Sequence, residues 1–294
     1  MTTMADLVAD VRRMTYGSMS EKINLIATSA SAIVDEVDLQ LDVTGINEGM
    51  ILSSGLNVWY VKGVSVNGRK VFVVPGIDNS PNSGVVANDM VFVRPRMTDW
   101  YAFNMLNDEI RALSAPTNGL FKVGSWTVDS EPTYQTYVVP ESASDMEDLI
   151  RVRYRLPGTP DVQIDLPVSA WRWRPTATTN VVQLTRNIPM GTEVTFVYKA
   201  PFTVATALSD NLVTDCGLSD SMTDIPALGV VTSLLSTTES RRIQVQTQGD
   251  ARRADEVPAT ANSAAAREMR RVYRDRIQDE YTRLRAKYPI YKGI

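Results

Sequence analysis

The sequence predicts an α+β fold that is mainly β, with helical termini. Three observations predict it. Between residues 36 and 205, apolar and polar residues alternate with a period of two over many short stretches, the pattern of half-buried strands. Turn-forming pairs punctuate those stretches: Asn67-Gly68, Pro75-Gly76, Pro157-Gly158, Arg174-Pro175 and Met190-Gly191. Towards both ends the apolar spacing changes to three and four, which belongs to amphipathic helices. A length of 294 residues fits about two domains of ~150 residues.

The segment 1–35 reads as helical. Thr3 is a capping residue with Asp6 three positions on, and Leu7, Val11 and Met14 form a stripe. Beyond Ser20 the reading is ambiguous: Ile23, Ile26, Ala30 and Ile33 keep helical spacing, but Thr28, Ser29 and Ser31 are weak helix formers.

The segment 36–97 reads as a small β-barrel-like module. Val37, Leu39, Leu41 and Val43 alternate with Asp38, Gln40 and Asp42. Short strands follow at Met50–Leu52, Val58–Val66, Lys70–Val74 and Met90–Val93. Asn67-Gly68 closes a hairpin, because both residues accept positive φ. So many short strands in so few residues imply a closed or sandwiched antiparallel sheet. Residues 98–115 then form a connecting helix, capped by Thr98 or Asp99, with Phe103, Leu106, Ile110 and Leu113 on its stripe.

The segment 116–205 reads as a β-sandwich. Tyr134–Val139, Leu149–Leu156, Val162–Ile164, Ala170–Trp173, Val181–Leu184 and Glu193–Tyr198 are its expected strands. The segment 206–294 reads as a helical C-terminal region. Helices are expected over Thr206–Val213, over Ile225–Leu235 with Pro226 in its first turn, and over Ser263–Ala286. Arg241–Val257, polar and charged, reads as a linker. The last helix is a rod of ~36 Å. Met269, Tyr273, Ile277, Tyr281, Leu284 and Tyr288 line one face, and Arg267, Arg271, Arg274 and Arg285 the other.

Composition narrows the chemistry. The chain has no histidine, which removes Ser-His-Asp and Cys-His catalysis and histidine metal ligands. Its single cysteine, Cys216, allows no intrachain disulfide or thiolate cluster and reads as a small core residue. No two glycines lie two apart, no Gly-Lys-Ser/Thr occurs, and no lysine has a serine three before it. Dinucleotide, P-loop and S-x-x-K signatures are therefore absent. Apolar runs reach only four residues, as in Val71–Val74, where a membrane helix needs roughly 20. Asp6, Asp10, Arg12 and Arg13 interrupt any apolar core that a secretion signal would need. No cofactor or metal site is expected.

Four features invite a functional reading. Asp145, Glu147 and Asp148 cluster without the calcium-loop pattern and read as a surface loop. Asp210, Asp215, Asp220 and Asp224 read as caps and turns. Trp171-Arg172-Trp173-Arg174 alternates, placing both tryptophans on one sheet face. That is a stacking platform for sugar or nucleic acid, or two core tryptophans with arginines outside; the second is preferred. Finally, residues 241–294 carry 13 Lys/Arg against 7 Asp/Glu, a net charge of +6, while the rest carries 17 against 27, or −10. The helix face bearing Arg267, Arg270, Arg271 and Arg274, with the stripe of Met269, Tyr273, Ile277, Tyr281 and Leu284, is the candidate partner-docking site. Docking into protein is preferred over contact with DNA phosphates or a solvated lid on its own domain.

Two stretches resemble known proteins. Gly45–Leu52, Val58–Val61, Val71–Gly76, Ala87-Asn88-Asp89 and Val93–Arg96 together are similar to a β module common in tailed-phage virion proteins. Asn57 stands near that module's usual acid, Pro75 at its usual arginine, and Asn88-Asp89 in its His and Gly region. Asp224–Gly229 with Leu234-Leu235, Glu239 and Arg241 resembles the helix-and-linker pattern of neck and adaptor proteins of long-tailed phages. Tyr273–Glu280 with Leu284 and Tyr288-Pro289 resembles it too.

The resemblance implies a structural virion protein, not an enzyme. It would form a homo-oligomeric ring in the head-to-tail connector, assembled in the host cytoplasm, that joins portal to tail and leaves a DNA channel. Its partners would be further copies of itself, the portal and other neck or tail proteins, with DNA passing without sequence-specific binding and no membrane involved. An acidic wall suits a channel that must not hold DNA. The alternative is a peripheral tail or baseplate component that binds host-surface glycan through the sandwich. A glycan-cleaving enzyme, which needs only two carboxylates, is a third reading.

Overall fold

The structure, a computed structural model, describes residues 2–16, 22–30, 35–40, 45–65, 69–130, 136–155, 162–175, 180–189, 191–247 and 261–289. The fold is mainly β with helices in its terminal regions. Contacts group the chain into two compact units. One comprises Met1–Glu109, Ala205–Asp215 and Thr223–Tyr273; the other comprises Ile110–Val204, Cys216–Met222 and Arg274–Ile294.

The first unit opens on α1 (Met4–Tyr16). The expected cap forms reciprocally: Asp6 N donates to Thr3 Oγ1 (3.3 Å), and Thr3 N donates to Asp6 Oδ2 (2.8 Å). Met4, Leu7, Val8 and Val11 are buried, and α1 packs along α3 (Ile225–Thr247). Met14, expected on the buried stripe, is exposed. The helical spacing after Ser20 does not yield a helix in the residues described. Lys22–Leu25 is strand β1, antiparallel to β6 (Met90–Val93), with Lys22 opposite Val93. Pairing overrides spacing here, because Thr28 and Ser29 offer a helix little.

The remaining strands of this module are β2 (Glu36–Asp38), β3 (Ile51–Ser54), β4 (Asn57–Val64) and β5 (Lys70–Pro75). The sheet order is β1-β6-β3-β4-β5-β2, and the two outermost strands meet. Ile26 bridges Leu39, with Ala27 N donating to Asp38 O (2.7 Å) and Gln40 N to Leu25 O (2.8 Å). The sheet thus curls into the expected barrel-like module around Leu39, Leu52, Trp59, Val61 and Val71. Gly76, at φ 75°, supplies the left-handed turn that ends β5. Asn67-Gly68, Leu41 and Val43 lie outside the described residues.

Connecting helix α2 is Asp99–Leu113, and Thr98 Oγ1 accepts the Tyr101 N–H (3.2 Å) as the cap. Arg12 ties three elements together. Its Nη2 lies 3.0 Å from Asp99 Oδ1 and donates to Met97 O (2.8 Å), and its guanidinium sits 4.3 Å from the Phe92 ring centroid. The helix expected over Thr206–Val213 is a run of turns instead. Asp210 Oδ2 accepts the N–H groups of Thr206 (2.7 Å) and Ala207 (3.0 Å), so the aspartate diverts the backbone. Asp210 and Asp215 do serve turns, as expected. The segment from Arg241 expected as linker starts as helix: α3 continues to Thr247. Residues 248–260 lie outside the description.

The second unit holds two sheets facing one core. β7 (Lys122–Asp129), β9 (Asp148–Arg155), β10 (Gln163–Asp165) and β13 (Glu193–Ala200) run in the order β10-β9-β13-β7. β8 (Thr136–Val138), β11 (Trp171–Pro175) and β12 (Asn180–Leu184) run in the order β11-β12-β8. Tyr137 and Val182 from one sheet meet Val152, Val194 and Phe196 from the other, which makes the expected sandwich. The Arg174-Pro175 pair, expected as a turn, ends β11 instead. Pro157-Gly158 and Met190 lie outside the described residues. On the far face of the larger sheet, Phe121, Ile150 and Val197 form a second cluster with Leu284 and Tyr288 of α4 (Ala261–Lys287).

Candidate functional site

The C-terminal helix α4 carries the predicted docking residues, and the structure divides its two faces. In the first unit, Met269 and Tyr273 are half-buried, and Tyr273 O–H donates to Glu109 Oε1 of α2. Glu109 is half-buried, and a Cβ added at Gly229 of α3 would fall into its carboxyl group. Burial holds the Glu109 carboxyl above the usual carboxylate range, partly offset by the Tyr273 hydroxyl. Burial first, then the same carboxyl, pushes the Tyr273 phenol upward.

In the second unit, Ile277 is buried, and Tyr281 lies against Gly119. Leu284 and Tyr288 pack on Phe121, Ile150 and Val197. Arg276 Nη2 donates to Ser221 O (2.6 Å). Glu280 is buried, with Arg276 Nη1 at 3.8 Å and Arg283 Nη1 at 3.7 Å from its Oε1. The apolar stripe is therefore turned inward within both units, and it is not the free surface a docking arm would offer. Arg267, Arg270, Arg271 and Arg274 are all exposed, with the exposed acids Glu268, Asp275 and Asp279 among them. Arg271 is engaged by Glu268 one turn back, Nη2 to Oε1 at 2.6 Å. Stripe and arginines are thus separable: the stripe packs within the fold, and the arginines lie at the surface.

The other candidates resolve individually. Trp171 and Trp173 share a face as alternation requires, and both pack on the sandwich core, half-buried, while Arg172 and Arg174 are exposed. Neither indole N–H meets an acceptor among the described residues. Asp145 Oδ2 lies 2.7 Å from Lys122 Nζ, and Glu147 Oε2 lies 3.3 Å from Lys199 Nζ, so two acids of the cluster hold lysines. Among the described residues, no three His, Cys, Asp or Glu side chains are placed to hold a metal ion. Cys216 is buried, as a core residue would be.

The sequence reading did not foresee an apolar row outside the barrel-like module. Ile51 stands opposite Tyr60, and Tyr60 opposite Val74, on three adjacent strands. With Phe72, these side chains are 37–43% exposed. The signal was present in Val71-Phe72-Val73-Val74: four apolar residues in succession give a strand two apolar faces, and a barrel interior covers only one.

The chain matches no protein-family model, and no curated protein matches it. No helix among the described residues is long and apolar enough to cross a membrane.

Proposed function

We propose that the chain is a structural virion protein of a tailed bacteriophage. It is one subunit of a homo-oligomeric ring in the head-to-tail connector, it performs no catalysis, and it leaves a channel through which DNA passes. The observation that carries this reading is the division of charge on a folded helix. Arg267, Arg270 and Arg274 are exposed on α4 while its apolar stripe is occupied, and the rest of the chain is acidic. A basic face and an acidic body on one molecule are complementary between copies, and a head-to-tail contact of that kind is the type that builds a ring when its rotation closes. The portal and other neck or tail proteins are the remaining partners. Trp171 and Trp173, half-buried against the sandwich core, favour the ring over a peripheral component that binds host-surface glycan through the sandwich.

The test is location and charge. Antibody labelling and mass spectrometry of purified particles should find the chain at the head-tail junction. Arg270→Glu with Arg274→Glu should leave the melting temperature unchanged and prevent incorporation. A chain absent from particles, or a charge-reversed chain that is incorporated normally, overturns the reading.

A further inference from the structure

The sandwich has four sheet edges, and three of them are blunted. β8 and β10 are three residues long. β11 ends in Pro175 and bears Arg172 and Arg174. Short edges, proline and charge are the usual defences against strand addition. β7 is different. It has eight residues, no proline, and no charge between Lys122 and Asp129. Its ladder to β13 is continuous, with Glu193 opposite Asp129 and Ala200 opposite Lys122. On its other side, among the described residues, no backbone hydrogen bond reaches it.

The alternation of the ladder says which groups are free. Ser130 N donates to Thr192 O (2.8 Å), and Gly191 N donates to Ser130 O (3.2 Å), so residue 130 points toward β13. Counting back by twos, residues 128, 126, 124 and 122 do the same. Val123, Ser125, Thr127 and Asp129 therefore aim their N–H and C=O groups outward. Beside this edge runs a groove of about 520 Å³, lined by Trp126, Val128, Tyr137, Val138 and Ser142.

We propose that the β7 edge pairs with the β7 edge of a second copy, antiparallel and about a two-fold axis at Trp126. Two-fold antiparallel pairing needs the axis to pass through one residue facing its own copy. With Trp126 there, Ser125 faces Thr127 of the second copy and Val123 faces its Asp129. Every outward group is then used, in about eight hydrogen bonds. An axis at Gly124 or Val128 leaves half of them unpaired. No like charges oppose: the two Asp129 carboxylates lie at opposite ends of the joint. Partner backbone alongside the groove covers the half-buried Trp126, which is stacked on Phe196 at 4.6 Å. This association is independent of the virion role proposed above.

Light scattering and hydrogen exchange on the full chain test it, from micromolar to millimolar concentration. The wild-type mass should rise from one chain to two. The amides of residues 123, 125, 127 and 129 should gain protection in the dimer, while those of 124, 126 and 128 stay protected throughout. Ser125→Pro removes an outward N–H, and Thr127→Lys sets two like charges diagonally across the axis; neither breaks a bond to β13, so each should keep the fold and lose the two-chain species. A wild-type chain monomeric at every concentration overturns the proposal. So does a dimer retained in both variants, or one in which the Ser125 and Thr127 amides exchange freely. A monomeric chain that still enters particles sinks the strand pairing and leaves the virion reading standing.

Discussion

Gly229 lies inside α3, where glycine costs about 1 kcal/mol relative to alanine. The Glu109 carboxyl occupies the space its side chain would take. Gly229→Ala should therefore cancel the usual gain, because the Glu109 carboxyl must give up its contact with Tyr273 to make room. A denaturant midpoint that rises on this substitution contradicts the packing. Glu109 itself gives a pH prediction. Its folded-state pKa is raised by burial, so folding favours the protonated form. The penalty is present above the folded pKa and is relieved as pH falls through it toward the ordinary glutamate range. Glu109→Gln keeps an acceptor for the Tyr273 hydroxyl without the charge. The variant should melt above wild type at pH 7, and the gap should narrow by pH 5. A pH-independent gap would refute the assignment. For Trp173, half-buried on the sandwich core, Trp173→Ala should cost ~2–3 kcal/mol, below the value for fully buried aromatics. An unchanged melting temperature would mean that the ring is free.

At the scale of elements, the last helix belongs to the fold as much as to any interface. Leu284 and Tyr288 fill a cluster with Phe121, Ile150 and Val197. Leu284→Ala should cost ~2 kcal/mol, at the low end for partly buried leucines. Deleting residues from 263 onward should leave the second unit unstable to thermal unfolding, and a deletion that melts like wild type would show the cluster to be dispensable. Elements whose signals are local were legible in the sequence. The Thr3–Asp6 capping box and the Thr98 cap each lie within a few residues, whereas the expected alternation of Ile150, Val152 and Tyr154 holds only for the last two: a register shift against β13 turns Leu149 into the sandwich core and Ile150 to the far face. Elements decided by distant partners were not. β1 is a strand because β6 lies beside it. The turns at 206–210 exist because one aspartate captures two backbone N–H groups. α3 outruns its apolar stretch into Arg241 and Arg242, where nothing local forbids a helix. β7 escaped notice because Gly124 and Ser125 dilute its pattern. Gly124 is there because the Tyr198 ring, directly across the ladder, leaves no room for a Cβ. The docking face was half legible: spacing marked both the stripe and the arginines, but which of them faces solvent depends on Glu109 and Phe121, far away in sequence.

For the whole molecule, charge is the property that sequence states most completely, since it needs no contacts to count. A net −4 conceals opposite signs on the C-terminal region and the remainder. Association through such faces is screened over about 10 Å at 0.1 M salt. Incorporation that depends on α4 should therefore weaken as ionic strength rises, whereas pairing at the β7 edge, through backbone groups, should not. Sedimentation at low and high salt separates the two, and a salt-sensitive dimer would argue against the edge.

The seam where Ile26 meets Leu39 has a consequence in time. β1 leaves the ribosome first among the strands of its module, yet it pairs with β6, the last, with Lys22 beside Val93. Until β6 is made, β1 has no ladder partner, and the seam to β2 has no second wall. Closing so long a stretch of chain must precede the reward of its contacts, which slows folding more than it weakens the folded state. Closure of the barrel is then a late event. Ile26→Val should accelerate unfolding and leave the refolding rate nearly unchanged, with a φ-value near zero. The first strand synthesised is the last to be secured.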